Sequence, residues 1–502
     1  MNTTKFQIIL VLLFTMIPLV FWGQQKQLNI SDLGAKGDGQ SDNTLIIQKA
    51  IDNASASGNG RVIIPPGRFM TGVIHLKSNV EIHLDKNAFL LGSLKRSDYG
   101  PGDASPLIVA NHQHNISITG KGVIDGQGDQ LINDIYVMLN AGTLEDSEWK
   151  IYNPWHQMRP EERNRPKIME LVDCDTLQIN GITIKNGLCW VQNYKNCSNI
   201  IIDSIKVESN TFWNNDGIDI TDCKNVRITN CILNCDDDGI CLKSYDRTRR
   251  CENIYVANCS IRASASAVKL GTASRGGFKN IMIRDIAVYD TFRSAIAIES
   301  VDGGILEDVE VQNIKAINTG NAIFIRLGHR NIDSVYSQLR HIHISNIKAE
   351  IPLTKPDKGY PMEGPEPDFA HNVFPSSITG IQGHPVEDVT LENIELIFAG
   401  GGKKQIACLP ADSLSKIPEQ ASEYPEFSMF GELPSWAFYA RHVRGLKFKN
   451  ISVKIKEKDY RPAYVLDDVD RLVMDKIEIQ GNDACNQIFL NNISKTELNI
   501  WK

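Results

Sequence analysis

The sequence has no excess of positive charge, no paired cysteine motif and, beyond its first residues, no long apolar run. A formal net charge of −7 gives no support to general nucleic-acid binding. It leaves room for an acidic substrate, because a local basic cleft can oppose the global charge. The 11 cysteines are an odd number and none forms a C-x-x-C pair with a matching partner, which argues against both a metal framework and a disulfide framework. Cys231 and Cys259, 28 residues apart at the same point of two similar segments, read as stacked core cysteines. With 42% hydrophobic and 23% charged residues, the chain matches neither a disordered nor a multi-span membrane protein. The one long apolar run, Phe6 to Trp22, is broken only by Gln7, Thr15 and Pro18, follows Lys5 and ends at Gly23. It reads as a signal peptide over residues 1–23, because it falls just short of the ~20 residues a spanning helix needs. The expectation is a secreted or periplasmic protein that keeps no membrane span and acts as a monomer.

What the sequence does contain is an internal repeat. A polar residue, two or three alternating β-formers and then Asn or Asp recur from Asn199 to Asp203, Asn225 to Asn230 and Asn253 to Asn258. Further copies run from Asn280 to Asp285, Asp308 to Asn313, His341 to Asn346, Asp388 to Asn393 and Gly445 to Asn450. From Asp203 to Asn313 the closing positions step by 27, 28, 27 and 28. Alternation marks each phrase as a strand, and the steady period marks a solenoid. The leucine pattern of a leucine-rich repeat is missing, so the expected fold is all-β: a right-handed, single-stranded parallel β-helix over residues 24–502. Stacked coils would bury one continuous apolar column, with the repeated Asn or Asp at the same bend of each.

A second strand column follows the first. Ile218, Ile240, Val268, Ile296 and Ile323 are its equivalent inward positions. Asp219, Cys241, Lys269, Ala297 and Phe324 then form one neighbouring file, and Thr221, Lys243, Gly271, Glu299 and Arg326 another. Residues 24–100 read as an N-terminal cap and first coils, with a helix from Thr44 to Ser55 whose Leu45, Ile46, Ala50, Ile51 and Ala54 plug the solenoid's open end. Insertions interrupt the repeat at about 133–166, 352–385 and 400–436 and are placed to shape a cleft. Trp190, Trp213 and Trp436 are candidates to stack on sugar faces.

Asp216, Asp237 and Asp238, each on a segment leading into Gly-Ile, carry the densest acid content of the repeats. Coil stacking would set Asp216 beside the Asp237 and Asp238 pair, ~4.8 Å away. Carboxylates so close repel, so at least one pKa should rise, which keeps an acid protonated beside an ionised base. That is the pair glycoside hydrolysis needs. A calcium site is the alternative use of clustered carboxylates.

The segments Asp32 to Gly39, Pro65 to Gly67, Asn214 to Asp219 and Asp237 to Ser244 together resemble glycoside hydrolase family 28, the polygalacturonases and rhamnogalacturonan hydrolases. The resemblance implies an inverting hydrolase of a pectic or other acidic or rhamnose-containing polysaccharide, with no cofactor and no metal. By that likeness Asp238 is the general acid, while Asp216 and Asp237 activate the water. Two family motifs are replaced. Ala265, Ser266 and Ala267 stand where Gly-His-Gly is usual, and Ala297, Ile298 and Glu299 where Arg-Ile-Lys grips a galacturonate carboxylate. Lys243 and Lys269 are the expected substitutes, and Asn214, Asp219 and Arg326 complete the expected substrate contacts. Pairing of Arg326 with Glu299 is the alternative. A calcium-dependent polysaccharide lyase and a non-catalytic carbohydrate-binding β-helix are the rival functions on the same scaffold.

Overall fold

Each repeat phrase forms a strand that pairs in parallel with its copy one coil further on. A computed structural model describes residues 26–365, 374–402, 411–481 and 487–500; the expected signal segment lies outside them. One register file runs Ile200, Val226, Ile254, Ile281, Val309, Ile342, Val389, Leu446, Leu472. None of these side chains is more than 2% exposed. Burying each such side chain is worth about 1.5–3 kcal/mol, and no single coil has enough of them to fold alone. The fold is thus the expected right-handed parallel β-helix.

The bends are built by the repeated asparagines. Asn199, Asn225, Asn253 and Asn280 hold φ of 55°, 56°, 58° and 54°, a left-handed conformation that Asn tolerates better than other side chains with a Cβ. Each side chain donates to the one on the preceding coil, Asn225 to Asn199 at 3.1 Å, Asn253 to Asn225 at 3.0 Å and Asn280 to Asn253 at 2.7 Å. The closing positions form a second ladder, with Asn346 bonded to Asn313 at 3.0 Å, Asn393 to Asn346 at 3.1 Å and Asn450 to Asn393 at 2.8 Å. At the start of this series the bend falls on Ser204, φ 55°, rather than on Asp203, which instead accepts from Asn230 at 2.7 Å. Cys231 and Cys259 are buried and free. A second cysteine stack escaped the sequence reading: the Cys174 and Cys197 amides donate to the sulfurs of Cys197 and Cys223, each at 3.3 Å.

Helix α1 (Thr44–Ala56) caps the solenoid as expected, burying Ile47, Ala50, Ile51 and Ala54. Leu45 is not part of the plug. It is 84% exposed, one position off the buried stripe. A second helix, α2 (Gly128–Asn140), was not foreseen and runs into the first insertion. Its Leu131, Ile132, Ile135 and Leu139 are buried, so the insertion begins as packed structure. The second insertion likewise contains the strand Ser376–Thr379, where Ser377 pairs with Phe324 and so rejoins the coil. No helix of the described residues is long and apolar enough to cross a membrane.

Candidate active site

The expected files are present on β1 (Ile218–Thr221), β2 (Ile240–Ser244), β3 (Val268–Ser274), β4 (Gly277–Ser300) and β5 (Ile305–Leu327). Ile218, Ile240, Val268, Ile296 and Ile323 align inward, and Asp219, Cys241, Lys269, Ala297 and Phe324 align beside them. The outer file holds for Thr221 with Lys243 and for Glu299 with Arg326, but breaks at Gly271, where the register slips and resumes at Ser244 opposite Ser274. Just before β1 and β2, the Gly217 amide donates to the Asp238 carbonyl at 2.9 Å, setting the Asp216 and Asp238 segments side by side. Only glycine serves at 217, since a Cβ there would meet the Cys235 sulfur and the Gly239 carbonyl at 2.6 Å.

Asp216, Asp238 and Cys241 bring ligand atoms within 4.8 Å of one another. Lys243 donates to Asp216 Oδ2 at 2.7 Å and also to Asp219. Lys269 Nζ lies 3.1 Å from Asp238 Oδ2 and 4.0 Å from Glu299 Oε2, and bonds the Tyr424 hydroxyl at 3.0 Å. Asp238 Oδ1 accepts the Ser266 amide at 2.9 Å, so the residue that replaces the family histidine contributes backbone to the cluster. Asp237 differs. Its Oδ1 accepts the Asp238 amide at 3.0 Å, and its Oδ2 the Asn214 amide group at 3.3 Å. No described cation forms an ion pair with it. Asn214 is itself held by Arg165, at 2.8 Å.

These contacts divide the acids electrostatically. Burial works to raise the Asp238 carboxyl, but Lys269, Lys243, Arg293 and the Ser266 amide outweigh it and hold it below the usual range. Burial and the adjacent Asp238 push Asp237 up. Asp216 is also pushed well up, by burial and by Asp219, which shares its one ammonium; Lys243 opposes this. Burial lifts Asp219 to about 6 and Glu299 to about 7. Two like charges on one lysine cannot both ionise cheaply in a dry site.

The cluster is poorly suited to a divalent cation. Its two aspartates each already hold an ammonium. The third donor, Cys241, is a thiol that burial pushes well up, and a metal-binding cysteine must be a thiolate. In the outlying group of Glu307, Asp308 and His341, Glu307 is engaged by Lys279 at 2.9 Å and Arg340 at 2.7 Å.

The cleft has two compartments, of about 250 Å³ and about 80 Å³. Asp216, Asp238, Lys243 and Lys269 line the larger, Trp213 and Arg293 the smaller. Asp237, Asn214, Arg159, Trp155 and Tyr424 border both. Trp155 and Tyr424 come from the first and third insertions and meet edge to face at 5.5 Å. The sequence reading missed Arg159, Trp155 and Tyr424, which stand in loops without a repeat to align them.

Arg326 is not in the cleft. It is 1% exposed and donates to the carbonyls of Gly380 at 3.0 Å, Glu419 at 2.6 Å and Gln420 at 3.0 Å. Nor does it pair with Glu299, whose contacts are Lys269 and Thr272. Its file position was read correctly, but the third insertion closes over that end of the file. Trp436 is core, at 1% exposure, whereas Trp190 lies against Lys243, 4.0 Å from ring centre to Nζ.

The sequence model of Glycosyl hydrolases family 28 matches residues 55–415. The chain belongs to this family. A probable polygalacturonase of Vitis vinifera is 27% identical, over 60% of this chain and 57% of its own. An exo-poly-alpha-D-galacturonosidase of Dickeya chrysanthemi is 26% identical, over 56% and 53%. The chain therefore spans little more than half the length of these two relatives. An exopolygalacturonase of Zea mays is 25% identical, over 74% and 77%. Among solved structures, the exopolygalacturonase of Thermotoga maritima superimposes with a TM-score of 0.58 at 23% identity, covering 74% of this chain and 87% of its own, which supports the β-helix of this family-28 protein.

Proposed function

We propose that this family-28 protein is an exported glycoside hydrolase that cleaves a pectic or other acidic polysaccharide with inversion, and that Asp237 is its general acid. The observation carrying the reading is the asymmetry of the three aspartates. Asp238 and Asp216 each face a lysine ammonium, whereas Asp237 forms no ion pair among the described residues and stands at the boundary of the two compartments; burial pushes it up, as it does Asp216. A glycosidic oxygen bridging the compartments would meet Asp237. Asp237 gives its proton to that oxygen as the bond to the anomeric carbon breaks. A water between Asp216 and Asp238, whose oxygens lie within 4.8 Å, forms the new bond to the anomeric carbon and passes its proton to Asp238. Lys269 holds Asp238 ionised for this task. The family likeness had suggested the opposite roles for Asp237 and Asp238. The ion pair opposes that assignment, because a carboxyl beside an ammonium gives up its proton too readily to wait as an acid.

The experiment compares Asp237→Asn and Asp238→Asn on polysaccharide and on an aryl glycoside whose leaving group needs no protonation. Loss of general acid–base help costs about 10²–10⁴-fold. Asp237→Asn should recover most of that loss on the activated substrate, and Asp238→Asn should not. Recovery by Asp238→Asn alone would reverse the roles, and a first-released anomer of retained configuration by NMR would remove the inverting mechanism.

A further inference from the structure

The cations around the cleft differ in whether the protein has already used them. In the larger compartment every cation that borders it alone is committed. Lys243 holds Asp216 and Asp219, Lys269 holds Asp238, and Arg330 grips Asp302 with two bonds of 2.9 Å. In the smaller compartment the guanidinium of Arg293 makes no side-chain hydrogen bond among the described residues. Its buried Nε makes no hydrogen bond among the described residues and has only a long ion pair, to Glu426 Oε2 at 4.0 Å. Arg159, on the boundary, donates to Gln157 at 2.6 Å and has no ion pair among the described residues. Glu426, Asp237 and Asp238 favour the charged form of Arg293, but no carboxylate among the described residues comes closer to it than 4.0 Å. Burial pushes Asp236 well up, and Glu363 is taken by Lys355 at 3.0 Å. Two guanidiniums with free donors beside a partly desolvated wall are costly unless an anion completes them.

We propose that the compartment bounded by Arg159 and Arg293 is the subsite for a carboxylate-bearing sugar, and that the larger compartment across Asp237 takes an uncharged one. This rests on the hydrolase reading and sharpens it: the bond cleaved joins an acidic sugar to a neutral one. A second carboxylate, placed in the larger compartment, would meet Asp216, Asp238 and lysines already neutralised. Of the two arginines, Arg159 lies in the first insertion, and Arg293 lies on β4 four residues before Ala297, which stands at the position of the family's missing Arg.

The test uses three soluble polymers: one alternating uronate and neutral sugar, a uronate homopolymer, and the alternating polymer with its carboxyls reduced to alcohols. Charge-assisted bidentate bonds predict that reduction lowers kcat/KM of the parent about 10–100-fold. Arg293→Gln, and separately Arg159→Gln, should lower the ratio of kcat/KM on the acidic to the reduced polymer by a similar factor, which a merely structural defect would not do. The alternating polymer should outrun the homopolymer by about 10-fold or more. An unchanged ratio in both variants, or equal rates on the two acidic polymers, overturns the subsite. Should the parent cleave none of the three, the hydrolase reading falls. The subsite is then decided by calorimetry of a uronate-containing trisaccharide on Asp237→Asn: weaker binding with Arg293→Gln added sustains it, and equal binding removes it.

Discussion

Replacing Lys269 by methionine keeps the apolar stem and removes the ammonium 3.1 Å from Asp238. At an effective dielectric of ~20, a charge pair at this distance is worth about 5 kcal/mol. Water entering the emptied space will recover part of that, so the Asp238 pKa should rise by about 1–3 units. If Asp238 is the base, the ascending, acid-side limb of the kcat/KM profile moves up by that amount. If it were the acid, the descending limb would move instead. The same change should destabilise the fold by about 3–5 kcal/mol, because a buried carboxylate loses its partner. The sign follows from linkage. In the parent the folded pKa lies below the unfolded one, so the pair stabilises above the unfolded value and this is lost as pH falls through the folded value. In the variant the order reverses, and the penalty grows as pH rises through the unfolded and then the folded value. The assay is a kcat/KM profile from acid to neutral pH, with thermal melts at the two ends. An ascending limb within 0.3 units, on the order of experimental error, would refute the reasoning.

Three further outcomes are expected. Arg326→Met should lower stability by about 3–5 kcal/mol, seen as a fall in Tm, because it strands the Gly380, Glu419 and Gln420 carbonyls; kcat/KM of the folded enzyme should stay within about threefold, against a tenfold or greater loss were it a substrate contact. Asn253→Ala should cost about 1–3 kcal/mol by urea titration, since alanine at φ 58° is strained and two ladder bonds go with it. Glu299, lifted from 4.5 to about 7, makes the parent lose stability as pH rises across that interval. Glu299→Gln should flatten this slope by up to about 1.4 kcal/mol per pH unit, measured by denaturant melts at successive pH values.

The scaffold was legible because a solenoid writes its geometry into a period. The spacing of Ile218, Ile240, Val268, Ile296 and Ile323 sets Lys243 and Lys269 in files beside the acids, and the register pairs Cys241 with Lys269 and Thr221 with Lys243. What a period cannot give is where a file is covered. Arg326 keeps its register with Glu299 yet lies under the loop at Glu419 and Gln420. Arg159, Trp155 and Tyr424 belong to no repeat, and their meeting over the site comes from two insertions far apart in the chain. Helix α2 was missed for a related reason: its buried Leu131, Ile132, Ile135 and Leu139 fall where the β period stops, and only a 3.6-residue reading of that stretch finds them. Adjacent aspartates look alike in sequence, and it is the position of an ammonium, 3.1 Å from Asp238, that separates Asp238 from Asp237.

The second asparagine ladder spans sequence gaps of 33, 47 and 57 residues without losing a rung. It therefore counts turns, not amino acids, and the extra length of each turn must leave on some other side of the coil. A molecule with such a spine can exchange the loops that border its cleft while the axis that sets out its acids stays straight. Transplanting a loop from one relative to another at equivalent turns becomes a change of cleft rather than a change of fold.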